Sequence, residues 1–295
     1  MKKMKRFRSS DFYLDCIVYF ILLLMVIVCL TPFVNVLSKS LSSDWAIIAG
    51  QVGILPVGIT LSNMKYVLAN QNFLQSLNIS VLITVLGTLG SLLLTALTAY
   101  TLSKRNLPGI KFILLMFVFT MLFSGGLIPT YLLIKQLGLL NNLGSLILPS
   151  LINVFNLLLI KNYFESLPES LEESARIDGA SNLKIIISII VPLSAPVVAT
   201  ISLFYAVAYW SEWFHAMIYI NKPALKPLQL YLRDVVLQTS SDPLGTSVNM
   251  DELLNSSPEG IRNATVILST VPILLVYPFL QKHFIRGIMI GSVKG

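Results

Sequence analysis

Uncharged apolar runs of about twenty residues recur along this chain, separated by short polar segments that hold nearly all the charge. A helix needs about twenty apolar residues to cross the roughly 30 Å hydrocarbon core of a bilayer. Six stretches meet that length, at about 16–37, 75–102, 112–134, 139–160, 185–211 and 264–281. None contains a charged residue, in keeping with the several kcal/mol that a charge at the bilayer centre costs. The pattern predicts an all-α integral membrane protein of six transmembrane helices. A short segment, 1–15, precedes one transmembrane domain over 16–295. Two connections are long: the loop 161–184 between spans four and five, and the loop 212–262 between spans five and six. A third polar stretch, 39–71, is expected to be part interfacial helix and part loop.

Composition agrees, with 55% hydrophobic and only 12% charged residues, against about a quarter charged in soluble domains. The basic start M-K-K-M-K-R-F-R precedes 23 uncharged residues from Cys16 to Ser38, too long for a cleaved signal core, so an uncleaved first span is expected. Cys16 and Cys29 lie in that run about 20 Å apart on a helix, too far for a disulfide. Of the 21 Lys and Arg, fourteen fall in the segments that share a side with the N-terminus and seven in the others. The positive-inside bias places both termini and the 161–184 loop in the cytoplasm, and explains the net charge of +7 better than nucleic-acid binding does.

Chemistry for catalysis is sparse. No Gly-Lys dipeptide exists for a phosphate-binding loop, and the two histidines, His215 and His283, have no partners at metal-ligand spacing. No enzyme activity, metal or cofactor is expected in this chain. Inside the spans, Gly87, Gly90 and the pair Gly125-Gly126 ahead of Pro129 permit either close helix packing or a break. Asn153 and Asn156 either line a polar cavity or bond across helices. Ser202, Tyr205, Tyr209 and Trp213 recur at i, i+3, i+7 and i+11. Such a face suits a sugar, whose C–H surface stacks on rings while its hydroxyls bond; an aromatic belt at the outer interface is the plainer alternative.

The 161–184 loop is the most charged part of the chain's middle. Ser166 is placed to cap a helix whose first turn takes Pro168 and Glu169. Glu172 and Arg176 form a favourable i,i+4 pair, and Gly179 stops the helix in the left-handed conformation. Ser181 then caps a second helix that bends at Pro192 and Pro196. By physics alone this is a surface loop helix or a short amphipathic helix clipped between two spans.

Glu173-Ser174-Ala175, then Gly179, then Ile189-x-Val191-Pro192 resembles the EAA loop of binding-protein-dependent ABC importer permeases, with Ser174 replacing the usual second Ala and Val191 the usual Leu. Met121–Tyr131, Trp210–Ile220, Pro227–Leu230 and the tail F-I-R-G-I-M-I-G-S-V-K-G look like carbohydrate-uptake permeases of the maltose, alginate and polysaccharide type. The resemblance implies a type I ABC importer permease fold with a cytoplasmic coupling helix between spans four and five. Glu172, Glu173, Ala175, Asp178, Gly179 and Ala180 would couple to the ATPase, and Asn153, Asn156, Ser202, Tyr205, Tyr209 and Trp213 would line the substrate path. Implied partners are membrane lipid, a second homologous permease chain, two ATPase subunits that bind ATP and Mg, and an extracellular lipid-anchored binding protein that delivers an oligosaccharide. The closest similarity is to the branch found in Gram-positive bacteria, with the protein in the cell membrane. The loop 212–262 would reach into the docked binding protein, or else serve as a solvated connector. A secondary transporter, a non-sugar permease and a structural membrane subunit are the rivals. Secondary transporters often carry intramembrane acids, which these spans lack.

Overall fold

Long apolar sequence with few helix breakers gives long helices, and the chain bends where Gly, Pro and Asn interrupt it. The computed structural model describes residues 9–104, 107–237 and 257–291, with side chains over 14–104, 107–237 and 257–275. All regular elements among these residues are helical. Among the described residues, two helices are long and apolar enough to cross a bilayer unbroken: Leu14–Ser40, within α1 (Ser9–Ser40), and α4 (Gln71–Leu102).

Three of the expected spans are bent. The stretch 112–134 is divided between α5 (Ile110–Leu122) and α6 (Leu127–Gln136), which meet at 110° across Phe123–Gly126. The break takes precedence over close packing at Gly125-Gly126. The stretch 139–160 is divided between Gly144–Ser150, which contains α7 (Gly144–Ile147), and α8 (Val154–Glu165), at 46°. The stretch 185–211 changes direction by 89° between Asn182–Leu193 and α12 (Ala195–Trp210). The first of those segments comprises α10 (Asn182–Ile185), a π turn over Ile186–Ile190 and α11 (Val191–Leu193). Bends at Pro192 and Pro196 were expected, and both prolines flank this corner, each in the first turn of its own helix, where a missing N–H costs nothing. At the corner Leu193 O accepts the Tyr163 hydroxyl, 3.4 Å away. The last helix, α15, is continuous over Pro258–Gly291.

The described residues fall into two compact units. One comprises 1–70 and 235–268. In it, α2 (Asp44–Ile48) and α3 (Ser62–Ala69) and the loop between them realise the part-helix, part-loop reading of 39–71. Asp44 Oδ1 organises this unit, accepting from Asn63 Nδ2 at 3.2 Å and from the Ser257 amide at 2.9 Å. Lys39 pairs with Glu259 at 2.6 Å.

The other unit comprises 71–234 and 269–295. Its centre is α4 packed on α8 and α12. The buried face of α4 carries Ser76, Ser80, Ile83, Gly87, Ser91, Thr95 and Ala99, at spacings of three and four. Small side chains at helical spacing let neighbouring backbones approach, which is how helices associate where lipid removes the hydrophobic drive. Ile83, Leu157, Ile160 and Ile201 fill the centre. Where it is described, the outer loop is partly helical. It forms α13 (Phe214–Tyr219), a tight turn over Pro223–Leu225 and α14 (Leu228–Leu237). Asn141 Oδ1 accepts from the amides of Asn221 and Lys222 at 2.6 and 3.0 Å, Ser80 Oγ from the Leu228 amide at 2.8 Å, and Lys226 pairs with Asp234 at 2.6 Å. Residues 238–256, within the 212–262 loop expected to reach a docked partner, lie outside the described residues.

Candidate functional site

Two clefts in the second unit gather most of the residues singled out by sequence. The first, of about 430 Å³, is lined by Asn153, Phe155, Asn156, Phe204, Tyr205, Ala208, Tyr209 and Glu212, with the turn Pro149–Ile152. It exists because α8 starts late. Asn153 is extended, at φ −91° and ψ 121°, and its side chain caps α8 by accepting from the Asn156 amide at 3.1 Å. The Asn153 amide, freed by the break, donates to the Tyr205 hydroxyl at 3.0 Å. Tyr205 Oη in turn lies 2.7 Å from Thr95 Oγ1. One turn along α12, the Tyr209 hydroxyl is 2.9 Å from Ser91 Oγ and donates to Ile147 O at 3.3 Å. Non-helical backbone within an apolar stretch needs to be satisfied by protein or to line a cavity, and here it does both.

Gly87 makes this arrangement possible. A Cβ there would stand 2.7 Å from the Tyr209 ring, so only glycine lets the ring lie against α4. Four of the six residues expected on the path therefore share one cleft. Ser202 and Trp213 do not join them. Ser202 Oγ donates back to Val198 O on its own helix at 2.7 Å. Trp213 falls beyond the end of α12 at Trp210, so the i, i+11 spacing no longer applies, and its ring lies under Arg233 at 5.5 Å. Phe155, Phe204 and Glu212 are lining residues that the sequence reading did not single out.

Among the described residues, Glu212 is the one charged group lining this cleft. Its carboxylate accepts from the His215 amide at 2.8 Å and meets His215 Nδ1 at 3.1 Å, at the start of α13. Burial alone would raise the Glu212 carboxyl, but the His215 ring and the His215 and Phe214 amides together hold it below the usual carboxylate range. The hydrogen bond to Glu212 raises the His215 imidazole, against the opposing effect of burial.

The second cleft, of about 420 Å³, lies between the end of α4 and α9 (Ser170–Ile177), lined by Ser103, Lys104, Phe164, Glu165, Glu169, Glu172, Glu173 and Arg176 among others. Helix α8 ends at Glu165, and Ser166 Oγ donates to Tyr163 O at 2.7 Å. Ser166 thus closes α8 instead of capping α9, because the Tyr163 carbonyl three residues back lies within reach of its hydroxyl. The first turn of α9 rests on carbonyls of Pro168 and Glu169. Its C-terminus is a Schellman motif, with the Ala180 amide bonded to Ala175 O at 2.9 Å and the Gly179 amide to Arg176 O at 3.0 Å. Gly179 sits at φ +78°, the left-handed conformation expected of it. Ser181 accepts from the Lys184 amide at 3.4 Å and caps α10 as the spacing predicted.

The faces of α9 divide cleanly. Ala175 is buried and the Glu172 side chain is 14% exposed, whereas Ser170, Glu173, Ser174 and Ile177 form an exposed i, i+3, i+4, i+7 stripe. Asp178 and Gly179 are exposed and Ala180 is half-buried. Ile177, 86% exposed, was missed in the sequence, although its position four residues after Glu173 is the signal that would have found it. Glu172 pairs with Arg176 as expected, but at 3.9 Å. Its main partners are Lys104, whose Nζ bonds both carboxylate oxygens, and the Tyr100 hydroxyl at 3.0 Å.

Known proteins share this architecture. Residues 109–290 match the family described as binding-protein-dependent transport system inner membrane component. The chain is 43% identical to the polygalacturonan/rhamnogalacturonan transport system permease protein YtcP of Bacillus subtilis (strain 168), over 95% of this chain and 98% of that one. It is 47% identical to Protein LplC of the same organism, over 90% and 89%. A chain in the crystal structure of a bacterial ABC transporter involved in the import of the acidic polysaccharide alginate superimposes with a TM-score of 0.88 at 34% identity, covering 95% of this chain and all of that one.

Proposed function

The chain belongs to the binding-protein-dependent transport system inner membrane component family, and we propose that it is the six-span permease subunit of an ATP-driven oligosaccharide importer. The observation that carries the reading is α9. It is a short helix, rigidly ended at Gly179, that offers acids and an exposed isoleucine on one face while its other face is fixed to the protein. An exposed large apolar side chain beside charges suits a protein partner better than water. The Asn153–Tyr205–Tyr209 cleft supplies rings and hydrogen-bonding groups suited to a sugar, and the names of the relatives favour the same substrate class.

In this reading α9 is cytoplasmic and docks on an ATPase subunit through Glu173, Ile177, Asp178 and Gly179. Both termini are cytoplasmic, in the cell membrane of a Gram-positive bacterium. A second permease chain completes the path, and two ATPase subunits bind ATP and Mg. A lipid-anchored extracellular binding protein delivers the oligosaccharide, and this chain itself catalyses nothing. Closure of the ATPase dimer moves the coupling helices, and the movement opens the cleft to the docked binding protein.

The test is reconstitution in proteoliposomes. The full assembly takes up oligosaccharide only with ATP and binding protein, and this chain alone takes up nothing. Uptake by the chain alone under an ion gradient would make it a secondary transporter. Orientation has its own check: in a background with Cys16 and Cys29 replaced by Ser, S170C reacts with an impermeant thiol reagent only from the cytoplasmic side. Labelling from outside overturns the docking argument.

A further inference from the structure

The two adjacent glutamates of α9 do different work. We propose that Glu172 is a positioning residue which, with Lys104 and Tyr100, forms a strut tying α9 to the end of α4, while Glu173 is left free for the ATPase. The proposal rests on the reading of α9 as a coupling helix.

The strut is built from three groups. Lys104 Nζ bonds both oxygens of Glu172 and sits over the Tyr100 ring, 4.4 Å from its centre. The Tyr100 hydroxyl donates to Glu172 Oε2 at 3.0 Å, and Arg176 adds a looser contact at 3.9 Å. A carboxylate has about four acceptor positions, and three are already taken within the chain. The pair is partly sheltered, with 29% of the Lys104 side chain and 14% of Glu172 exposed. A docking partner would have to strip Lys104 from Glu172 and leave a half-buried ammonium behind. Glu173 carries no such burden on the exposed stripe.

Mechanics gives the strut its purpose. Helix α9 is linked to the cleft by two routes. The covalent route runs through α10, the π turn and α11, and then turns by 89° at Ser194 before reaching Tyr205 on α12. A corner of that size can flex without passing the displacement on. The strut route enters α4, which is unbroken from Gln71 to Leu102. Tyr100, the strut residue within α4, lies five residues, or about 7.5 Å along the axis, from Thr95. Thr95 and Ser91 are the residues that hold the Tyr205 and Tyr209 hydroxyls. A push on α9 therefore reaches the cleft through one continuous helix, provided Glu172 holds on to Lys104 and Tyr100.

The experiment uses the full importer in proteoliposomes, with ATPase retention on purification, ATP hydrolysis, and uptake per ATP as separate readouts. Glu172→Gln and Lys104→Met keep the ATPase bound and hydrolysing, while uptake per ATP falls at least about fivefold, the lower end of ordinary coupling between sites. The charge-swapped double variant K104E/E172K recovers most of that ratio, which a loss of packing would not. Tyr100→Phe, which removes one hydroxyl and keeps the ring, lowers the ratio in the same direction by less. Glu173→Gln instead loses the ATPase. Unchanged uptake per ATP in Glu172→Gln, loss of the ATPase in that variant as in Glu173→Gln, or no recovery in the swap overturns the strut. Absence of ATP-dependent uptake in the wild-type assembly would overturn the functional reading, and the strut with it.

Discussion

Helix α4 carries two polar anchorages of opposite kind. At its C-terminal end, Tyr100 and, just past it, Lys104 grip a carboxylate through a hydroxyl and a charge, at a partly sheltered place that water still reaches. Along its middle, Ser91 and Thr95 grip Tyr209 and Tyr205 through neutral hydroxyls, with all four residues buried. An unpaired charge in an apolar interior is far more costly than an unpaired hydroxyl, so the buried site is built from hydroxyls and not from charges. The price is adjustability: neutral hydrogen bonds fix a geometry, whereas a partly sheltered ion pair still responds to salt and to partners. One end of α4 is thus suited to receive a signal and the other to hold a shape.

The largest effect is expected at Gly179. Gly179→Leu forces an L-residue into φ +78°, at about 1–2 kcal/mol, and distorts the Schellman turn. The protein still reaches the membrane, but uptake falls by more than about tenfold while ATP hydrolysis persists uncoupled. Normal uptake at normal expression would mean that the turn is not a force-bearing element.

Next is Tyr205→Phe, which leaves the Asn153 amide and Thr95 without their shared hydroxyl. A buried group left unpaired costs about 1–3 kcal/mol, so uptake and thermal stability both fall while ATPase retention is unchanged. If stability holds, the break at Asn153 is satisfied in some other way and the middle anchorage is weaker than its geometry suggests.

Salt separates the two anchorages most directly. Raising ionic strength from about 0.1 to 1 M shortens the screening length from about 10 to 3 Å. Amide exchange in α9 should quicken by a few-fold, while that around Asn153 and Leu157 stays the same. Equal responses would erase the distinction between them.

The smallest effect concerns Glu212 and His215. His215 titrates above its ordinary value, so its contribution is complete below about pH 6.5 and fades as pH rises through the elevated value. Glu212 titrates below its ordinary value, so its contribution is complete above the normal carboxylate range and fades only in more acidic solution. Between these limits the start of α13 is best held. Exchange of the Phe214 and His215 amides, corrected for the intrinsic rate, should be slowest near pH 6 and quicken toward pH 9, and His215→Phe should abolish that dependence.

Legibility in the sequence followed locality. The Gly179 stop and the Ser181 cap depend on neighbours within five residues, and both stood out before any coordinates. Gly125-Gly126 left packing and a break both open, and Pro192 and Pro196 marked a bend, but the angles of 110° and 89° did not emerge, because hydropathy records that a stretch is apolar and not whether it is straight. The small-residue face of α4 was visible only at Gly87 and Gly90, since serine and threonine within an apolar run read as neutral filler. The Lys104–Glu172 pair joins residues 68 apart, and no periodicity links them. Glu212 escaped notice because the aromatic pattern was carried one turn beyond the real end of α12.

The contact of Gly87 with Tyr209 also reaches beyond this one chain. A Cβ at position 87 would stand 2.7 Å from the ring, so the two positions share a single fixed volume. Selection acting on this fold cannot then treat them independently. Lineages that acquire alanine or serine at 87 must move the ring at 209 or give it up, and with it the hydroxyl contacts to Ser91 and Ile147. Side-chain size at the two sites should vary inversely across the family.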